Sequence, residues 1–330
     1  MSAPRVAIVG ARRVRQGLGP FVARFLAAEG AAVPAFLGTS ASSVALAADE
    51  LERTAGIRPR GFTDLGDLLS TESVDALAIL SPAETHERYL EAALDARLHV
   101  LCEKPLVWGG ADLARRAREL WEGFVERGLL LVENCQWPRV LPAFRTLHPD
   151  RGQGPPRTFA MRLTPSSRGE QMIGDALPHP LSVLQALAPS GEARIESLAP
   201  STRAPGAGRL VLELVYRTPE HAIESRVELE SVGLGAGRGL PREASLTMDG
   251  ATARRRVRME DYALFLATGG SPGAPDREVP LADPLRGLLR DFVEDLVTAR
   301  RGRVRPADPA VPQRMEMIEL SLQAFREDPR

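Results

Sequence analysis

Lysine, cysteine and long apolar runs are all scarce in this chain of 330 residues. The two cysteines, Cys102 and Cys135, stand in separate segments without metal-ligand spacing, which argues against a disulfide framework or a zinc site. No apolar run approaches the roughly 20 residues of a membrane span. The opening MSAPRVAIVG enters a strand pattern almost at once and does not read as a leader. Charge of either sign is not in excess: 42 Lys plus Arg face 43 Asp plus Glu, so no field draws the chain to nucleic acid or an anionic membrane. These absences describe a reduced, cytoplasmic protein with no nucleic-acid or membrane partner.

The scarcity of lysine is the most informative of these. Lys104 is the only lysine, so the other 41 of the 42 basic residues are arginines. An ammonium is a compact point charge whose pKa can move, whereas a guanidinium is a fixed planar fork. A position that stays lysine in a chain otherwise committed to arginine is a candidate for chemistry.

What is present is 44% hydrophobic residues at ordinary globular proportions, in a length suited to two domains. The first third alternates apolar runs (RVAIV at 5–9, AVPAFL at 32–37, VDALAIL at 74–80, HVLC at 99–102 and 129–132) with amphipathic helical stretches. Strands and helices alternating at this spacing imply a parallel sheet covered on both faces. Pro34 inside the second run suggests an irregular or edge strand. After about Glu133, long alternating segments appear (158–163, 209–216, 221–230, 243–248) between Gly- and Pro-rich connectors, which is the grammar of antiparallel strands. Two helices close the chain, near 284–300 and 309–326. The expected fold is α/β: an N-terminal doubly wound parallel sheet of Rossmann type over residues 1–133, then an α+β domain with a large, mostly antiparallel sheet over 134–330.

A strand running into Gly10 and on to a helix is where a dinucleotide pyrophosphate would sit, against backbone N–H groups at the helix N-terminus. The usual G-x-G-x-x-G spacing is altered here to G-A-R-R-V-R-Q-G-L-G, with Arg12 at the second glycine position and Gly17 and Gly19 later, as though the loop were extended. After the second strand, Thr39 and Ser40 occupy the place where a carboxylate would bind the ribose hydroxyls of NAD. With Arg12 and Arg13 nearby, hydroxyls there suit a 2′-phosphate, which favours NADP over NAD and leaves both open. Two further strands end at Ser81-Pro82 (then Ala83-Glu84-Thr85-His86) and at Glu103-Lys104-Pro105. Both are at the carboxyl ends of parallel strands, where such sheets bind ligands. The lone lysine therefore falls on the expected ligand edge.

The tract SPAETHERYLEAALDARLHVLCEKPL resembles the glucose-fructose oxidoreductase, inositol dehydrogenase and rhizopine-catabolism family (Gfo/Idh/MocA), with its T-P-N-x-x-H segment and E-K-P motif in order. The resemblance extends through Val132-Glu133-Asn134, Arg139 and Pro142, and through the closing LRDFVEDLVTARRGRVRPADP. It implies an NAD(P)-dependent oxidoreductase acting on a sugar, cyclic polyol or related hydroxylated metabolite. It also implies His86 beside the cofactor and a D-x-x-x-H pair, supplied by Asp175 and His179. In that reading Lys104 holds the substrate oxygen, neutral His179 takes the hydroxyl proton, and Asp175 orients the imidazole or binds a second hydroxyl. No metal is implied. Relatives pair subunits over the second sheet, so a homodimer or homotetramer is expected. A glycoside hydrolase that uses bound NAD transiently and a non-catalytic regulatory relative remain as alternatives.

The local sequence adds one constraint. Pro178 and Pro180 prevent Asp175 and His179 from sharing one continuous helix. Pro180 is expected near the start of a helix over 181–188, with His179 at its N-terminus, where imidazolium is disfavoured.

Overall fold

The structure is a computed structural model that describes residues 2–12, 17–151, 154–200, 208–232, 243–268 and 277–327. Arg13, one of the cofactor candidates, lies outside the described residues. The chain divides into two compact units: Met1–Asn134 with Leu285–Pro312, and Cys135–Pro284 with Gln313–Arg330.

In the first unit the elements run β1 (Val6–Val9), α1 (Gly19–Ala28), β2 (Ala35–Leu37), α2 (Ala41–Ala55), β3 (Arg60–Phe62), α3 (Leu65–Thr71), β4 (Ala76–Ile79), α4 (His86–Asp95), β5 (His99–Cys102), α5 (Leu113–Glu126) and β6 (Leu131–Glu133). The six strands form one sheet in the order β3-β2-β1-β4-β5-β6, and every pair in it is parallel. β1 and β4 are buried at every residue, which explains their unbroken apolar runs. Strand order reverses between β1 and β4, the switch point at which open sheets of this kind bind ligands. Pro34 proves to precede β2, whose three residues are buried between β1 and β3, so the strand is interior and simply begins after the proline.

The second unit contains α6 (Leu141–Leu147), β7 (Thr158–Leu163), α7 (Gln171–Ala176), α8 (Pro178–Leu187), β8 (Glu192–Pro200), β9 (Arg209–Arg217), β10 (Ala222–Glu230), β11 (Ala244–Met248), β12 (Ala251–Arg258), β13 (Ala263–Thr268) and β14 (Glu278–Leu281). Among the described residues eight strands lie in the order β14-β13-β12-β11-β7-β10-β9-β8, and only the β7–β10 pair is parallel. Alternate residues of β9 and β10 are buried, the period of a sheet with one covered face.

The closing helices α9 (Pro284–Ala299) and α10 (Ala310–Glu327) go to different units. Leu285, Leu288, Leu289, Phe292, Val293 and Leu296 of α9 join the apolar core built on Val6, Ile8 and Ala78. A second domain running unbroken from 134 to the C-terminus therefore gives way to one interrupted at 285–312. α10 stays with the second unit, where buried Arg314 donates to Gln185 at 2.9 Å.

Candidate active site

One group of candidate residues, in the first unit, is built on the carboxyl edge of the parallel sheet. Gly10 follows β1 with φ +85°, and its N–H donates to Leu37 O at 3.1 Å. A Cβ on Gly10 would stand 2.8 Å from Ser81 N and 2.9 Å from Leu80 O. The glycine is thus required both for its dihedral and for the close passage of the β4 exit. Gly19 opens α1, and a Cβ there would stand 2.2 Å from Ala11 O, so helix and loop pack backbone to backbone. That is the task of the last glycine of a dinucleotide fingerprint, here reached after a longer loop. At both glycines the missing side chain lets backbone pass close to backbone, which is what a dinucleotide-binding turn requires of its glycines for the tight turn and for helix–strand packing. Arg12 is exposed at its start.

Thr39 and Ser40 follow β2 and are exposed. Ser40 caps α2: its Oγ accepts from Ser43 N at 3.2 Å, while Ser43 Oγ accepts from Ser40 N at 2.9 Å and Thr39 N at 3.1 Å. The described residues that follow β2, from Gly38 to Ser43, include no carboxylate.

The β4 exit and the β5 exit are tied together by hydrogen bonds. Thr85 Oγ1 donates to Ser81 Oγ at 2.7 Å and lies 2.7 Å from Pro82 O. Pro82 is exposed, but His86 is only 1% exposed. Its Nε2 lies 2.9 Å from Ser81 O and its Nδ1 2.9 Å from Pro105 O. The ring is therefore turned to backbone and away from solvent. At the β5 exit, Glu103 N donates to Ile79 O at 2.8 Å and the Lys104–Pro105 peptide bond is cis. Burial pushes the Glu103 carboxyl upward, while the Lys104 ammonium, a hydrogen bond from Asn134 and the charge of His86 oppose the shift. Asn134 ends the family-like Val132-Glu133-Asn134 tract. It is 2% exposed, its N–H donates to Cys102 O at 2.7 Å, and its side-chain amide donates to Glu103 Oε1. Burial, and then Glu133 and Glu103, hold the Cys102 thiol well above its usual range, so it is inert packing.

A second group, in the second unit, lies on α7 and α8. Asp175 is in α7, and His179 is the second residue of α8, which begins two residues earlier than a Pro180 start would give. Asp175 Oδ2 accepts from Ser167 Oγ at 2.8 Å. His179 is half-buried, with its ring centroid 6.2 Å from that of Trp137 at a tilt of 57°. The Arg255 guanidinium lies 5.4 Å from the Trp137 ring. Ser182 Oγ donates to His179 O at 2.7 Å and fixes the first turn. Trp137 thus supports the imidazole, and Arg255 in turn stacks on Trp137. Sequence reasoning missed Arg255 because it sits in a run of three arginines that reads as solvated surface. Among the described residues no group of His, Cys, Asp and Glu could hold a metal ion, and no helix is long and apolar enough to cross a membrane.

Comparison with known proteins agrees with this architecture. Inositol 2-dehydrogenase of Corynebacterium glutamicum is 29% identical over 189 residues, 52% of this chain and 51% of that one. The chain spans about a quarter to about half the length of the curated relatives it matches first. An inositol dehydrogenase homologue from Azotobacter vinelandii, solved with NADH and myo-inositol, superposes with a TM-score of 0.70 at 18% identity, covering 99% of this chain and 96% of that one. A 3-ketoreductase from Actinomadura kijaniata, solved as a Lys-to-Ala mutant with TDP-benzene and NADP, superposes at 0.71 and 18%, covering 98% of each. These two share the fold. Residues 4–134 match the model of the GFO_IDH_MocA family, described as an oxidoreductase family with an NAD-binding Rossmann fold.

Proposed function

We propose that this chain is a nicotinamide-dependent oxidoreductase acting on the hydroxyl-bearing carbon of a sugar, a cyclic polyol or a related metabolite. The observation that carries this reading is the place of the only lysine: just past β5, beside the Glu103 carboxylate, on the sheet edge that holds the Gly10 cradle. A bound nicotinamide supplies the hydride acceptor or donor. Gly10, Arg12, Arg13, Ser81, Pro82 and Glu103 would hold the dinucleotide, and His86 supports that edge from beneath. Lys104 steadies the substrate oxygen as negative charge develops on it. His179, near a helix N-terminus that disfavours imidazolium, takes the hydroxyl proton. Asp175, held by Ser167, binds a neighbouring hydroxyl or orients the imidazole.

Fluorescence titration of the purified protein with NADPH and NADH tests the reading. Binding of at least one is expected, with Lys104→Ala retaining a folded protein but losing turnover once sugars and polyols are screened. A folded wild-type protein that binds neither would overturn it. We favour NADP, because the sequence after β2 offers Thr39 and Ser40 in place of a carboxylate and the sequence after Gly10 carries arginines. Ser40→Asp keeps the helix cap and adds a carboxylate there. It should weaken NADPH binding about tenfold or more through repulsion of the 2′-phosphate and spare NADH. Equal effects on both cofactors would remove the preference.

A second copy of the chain is the partner we infer for the exposed face of the eight-stranded sheet. Arg162, Arg209, Glu213, Arg226 and Glu230 alternate in sign there, a pattern complementary to itself. Light scattering that finds only monomer would refute this.

A further inference from the structure

Three consecutive arginines of β12 divide between the two faces of the second sheet. Arg254 and Arg256 are exposed, and Arg256 meets Glu278 at 3.9 Å on the solvent side. Arg255 shares its register with Ala251, Ala253 and Val257 and stands opposite Leu266, which is 2% exposed. Successive side chains of a strand point to opposite faces, so Arg255 is the arginine directed into the apolar layer, where it is half-buried. The strand's own period calls for an alanine or a valine at this position. Packing alone would be served as well or better by an apolar side chain, because a guanidinium taken out of water carries a desolvation cost.

The setting of Arg255 gives the cation a use. Its guanidinium lies 5.4 Å from the centroid of the Trp137 ring, and that ring is 6.2 Å from the imidazole of His179, the base of the proposed reaction. All three residues belong to the second unit. Stacking engages the face of a guanidinium, whereas its five N–H donors lie in the plane and point out from the edge. An arginine stacked on an indole therefore keeps the geometry of a two-pronged contact with a carboxylate. Trp137 is only 7% exposed, so it walls one side of such a pair from water and strengthens the attraction.

We propose that Arg255 is a specificity-determining residue that receives a carboxylate carried by the hydroxylated substrate. The protein then acts on a sugar acid or a related polyhydroxylated carboxylate in preference to the neutral sugar. What happens to that ligand rests on the oxidoreductase reading; the preference for a carboxylate is a matter of binding alone. A carboxylate fits better than a phosphate ester, because one guanidinium balances its single charge and not the nearly double charge of a phosphate. The rest of the unit gives the substrate a direction. Asp175, whose Oδ2 accepts from Ser167 Oγ at 2.8 Å, offers acceptors to hydroxyls and none of the donors that a carboxylate needs. The hydroxyl end belongs with Asp175 and His179, and the carboxylate end belongs with Arg255.

Calorimetric titration of the full chain with matched pairs of compounds tests this, without nucleotide and again at saturating NADPH or NADH. The pairs are D-glucuronate and D-glucose, D-galacturonate and D-galactose, and D-gluconate and D-glucitol. In at least one pair the acid should bind about tenfold or more tightly than its neutral partner. Arg255→Met should remove that difference and leave the neutral compound unchanged. Arg255→Lys, which keeps the charge but not the fork, should restore part of it. No preference in any pair, or no binding at all, overturns the proposal. So does an Arg255→Met variant that loses acid and neutral compound alike, since Arg255 would then only prop Trp137. Tighter binding of D-glucose 6-phosphate than of D-glucuronate would reject the carboxylate. If Arg255→Met fails to fold, the wild-type preferences and Arg255→Lys decide. A folded protein that binds an acid through Arg255 but neither nucleotide keeps this inference and loses the oxidoreductase reading. One that binds a nucleotide but prefers no acid does the reverse.

Discussion

The two sheets of this protein are both large, yet they carry information differently. The parallel sheet is buried on both faces, and its strands end in glycine, serine, glutamate and lysine, all aimed at one edge. The antiparallel sheet is buried on one face only and covers the other with arginine and glutamate. In the first, the candidate residues are concentrated at strand ends, where Gly10 leaves no room for an added atom. In the second, the exposed face tolerates change because its ion pairs stand in water. The two classes of residue therefore differ less in composition than in what surrounds them.

A matched pair of glycines is the sharpest way to break that comparison. Gly10 and Gly250 both have positive φ, +85° and +80°. A Cβ at Gly10 would meet the backbone of Leu80 and Ser81 within 3 Å, whereas at Gly250, in the β11–β12 turn, nothing lies within 4 Å. Gly10→Ala should cost about 3 kcal/mol or more, the dihedral strain plus a backbone shift, and should abolish NADPH and NADH binding. Gly250→Ala should cost about 1 kcal/mol from the dihedral alone and leave binding intact. Denaturant unfolding of both variants supplies the comparison. Equal losses would show that the dihedral, and not the close passage of chains, sets the requirement at Gly10.

These contrasts also explain how much could be read from sequence. β1, β4 and β5 are legible because strands buried on both faces must be apolar throughout. β3 is not, since Arg-Gly-Phe at a sheet edge has too few buried positions to form a pattern. β12 is hidden for another reason: Arg254, Arg255 and Arg256 follow one another, so inward and outward positions carry the same residue type. The apolar stripe of α9 announces a helix but not which core it enters, because leucines at helical spacing fit either sheet. In the candidate site, Lys104 stands out by being unique. The ring partners of His86 and the amide of Asn134 do not, because they depend on backbone atoms brought together from distant segments. Ser40 and Ser43 are read from sequence only as hydroxyls near a strand end, and their reciprocal cap emerges from the geometry.

At the opposite edge of the parallel sheet, pH offers a milder test. His99 accepts a hydrogen bond from Leu130 N at Nδ1, 3.0 Å. Burial lowers its pKa below 6.5, and the Asp75 carboxylate opposes this. The folded state refuses a proton that the unfolded chain takes up near pH 6.5, so stability is full above that pH. It falls as pH drops from about 6.5 toward the lower folded value, by about 1.4 kcal/mol for each unit of depression once both forms are protonated. His99→Asn keeps an acceptor for Leu130 and should flatten this part of the stability profile. Urea unfolding at about pH 7.5 and about pH 5.5 measures it. Unchanged pH dependence in the variant would assign the effect to other groups, Asp75 first.

The smallest effect is expected on the exposed face of the second sheet. Arg226 on β10 pairs with Glu213 on β9 and with Glu228 on its own strand, at side-chain exposures of 46%, 48% and 28%. Three such pairing groups look like a stabilising network, but water competes for every one of them and the long side chains lose freedom when held. Arg226→Ala should therefore change the stability of an isolated chain by no more than about 0.5 kcal/mol. The same substitution behaves differently if a second copy covers the face. The partner would exclude water from the pairs, and removing the guanidinium would leave buried carboxylates unmatched. Unfolding measured at two protein concentrations separates the cases. A small, concentration-independent change fits a face open to solvent. A loss above about 1 kcal/mol that shrinks on dilution would mean that the charge lattice is an interface, and that this sheet is as intolerant of change as the other.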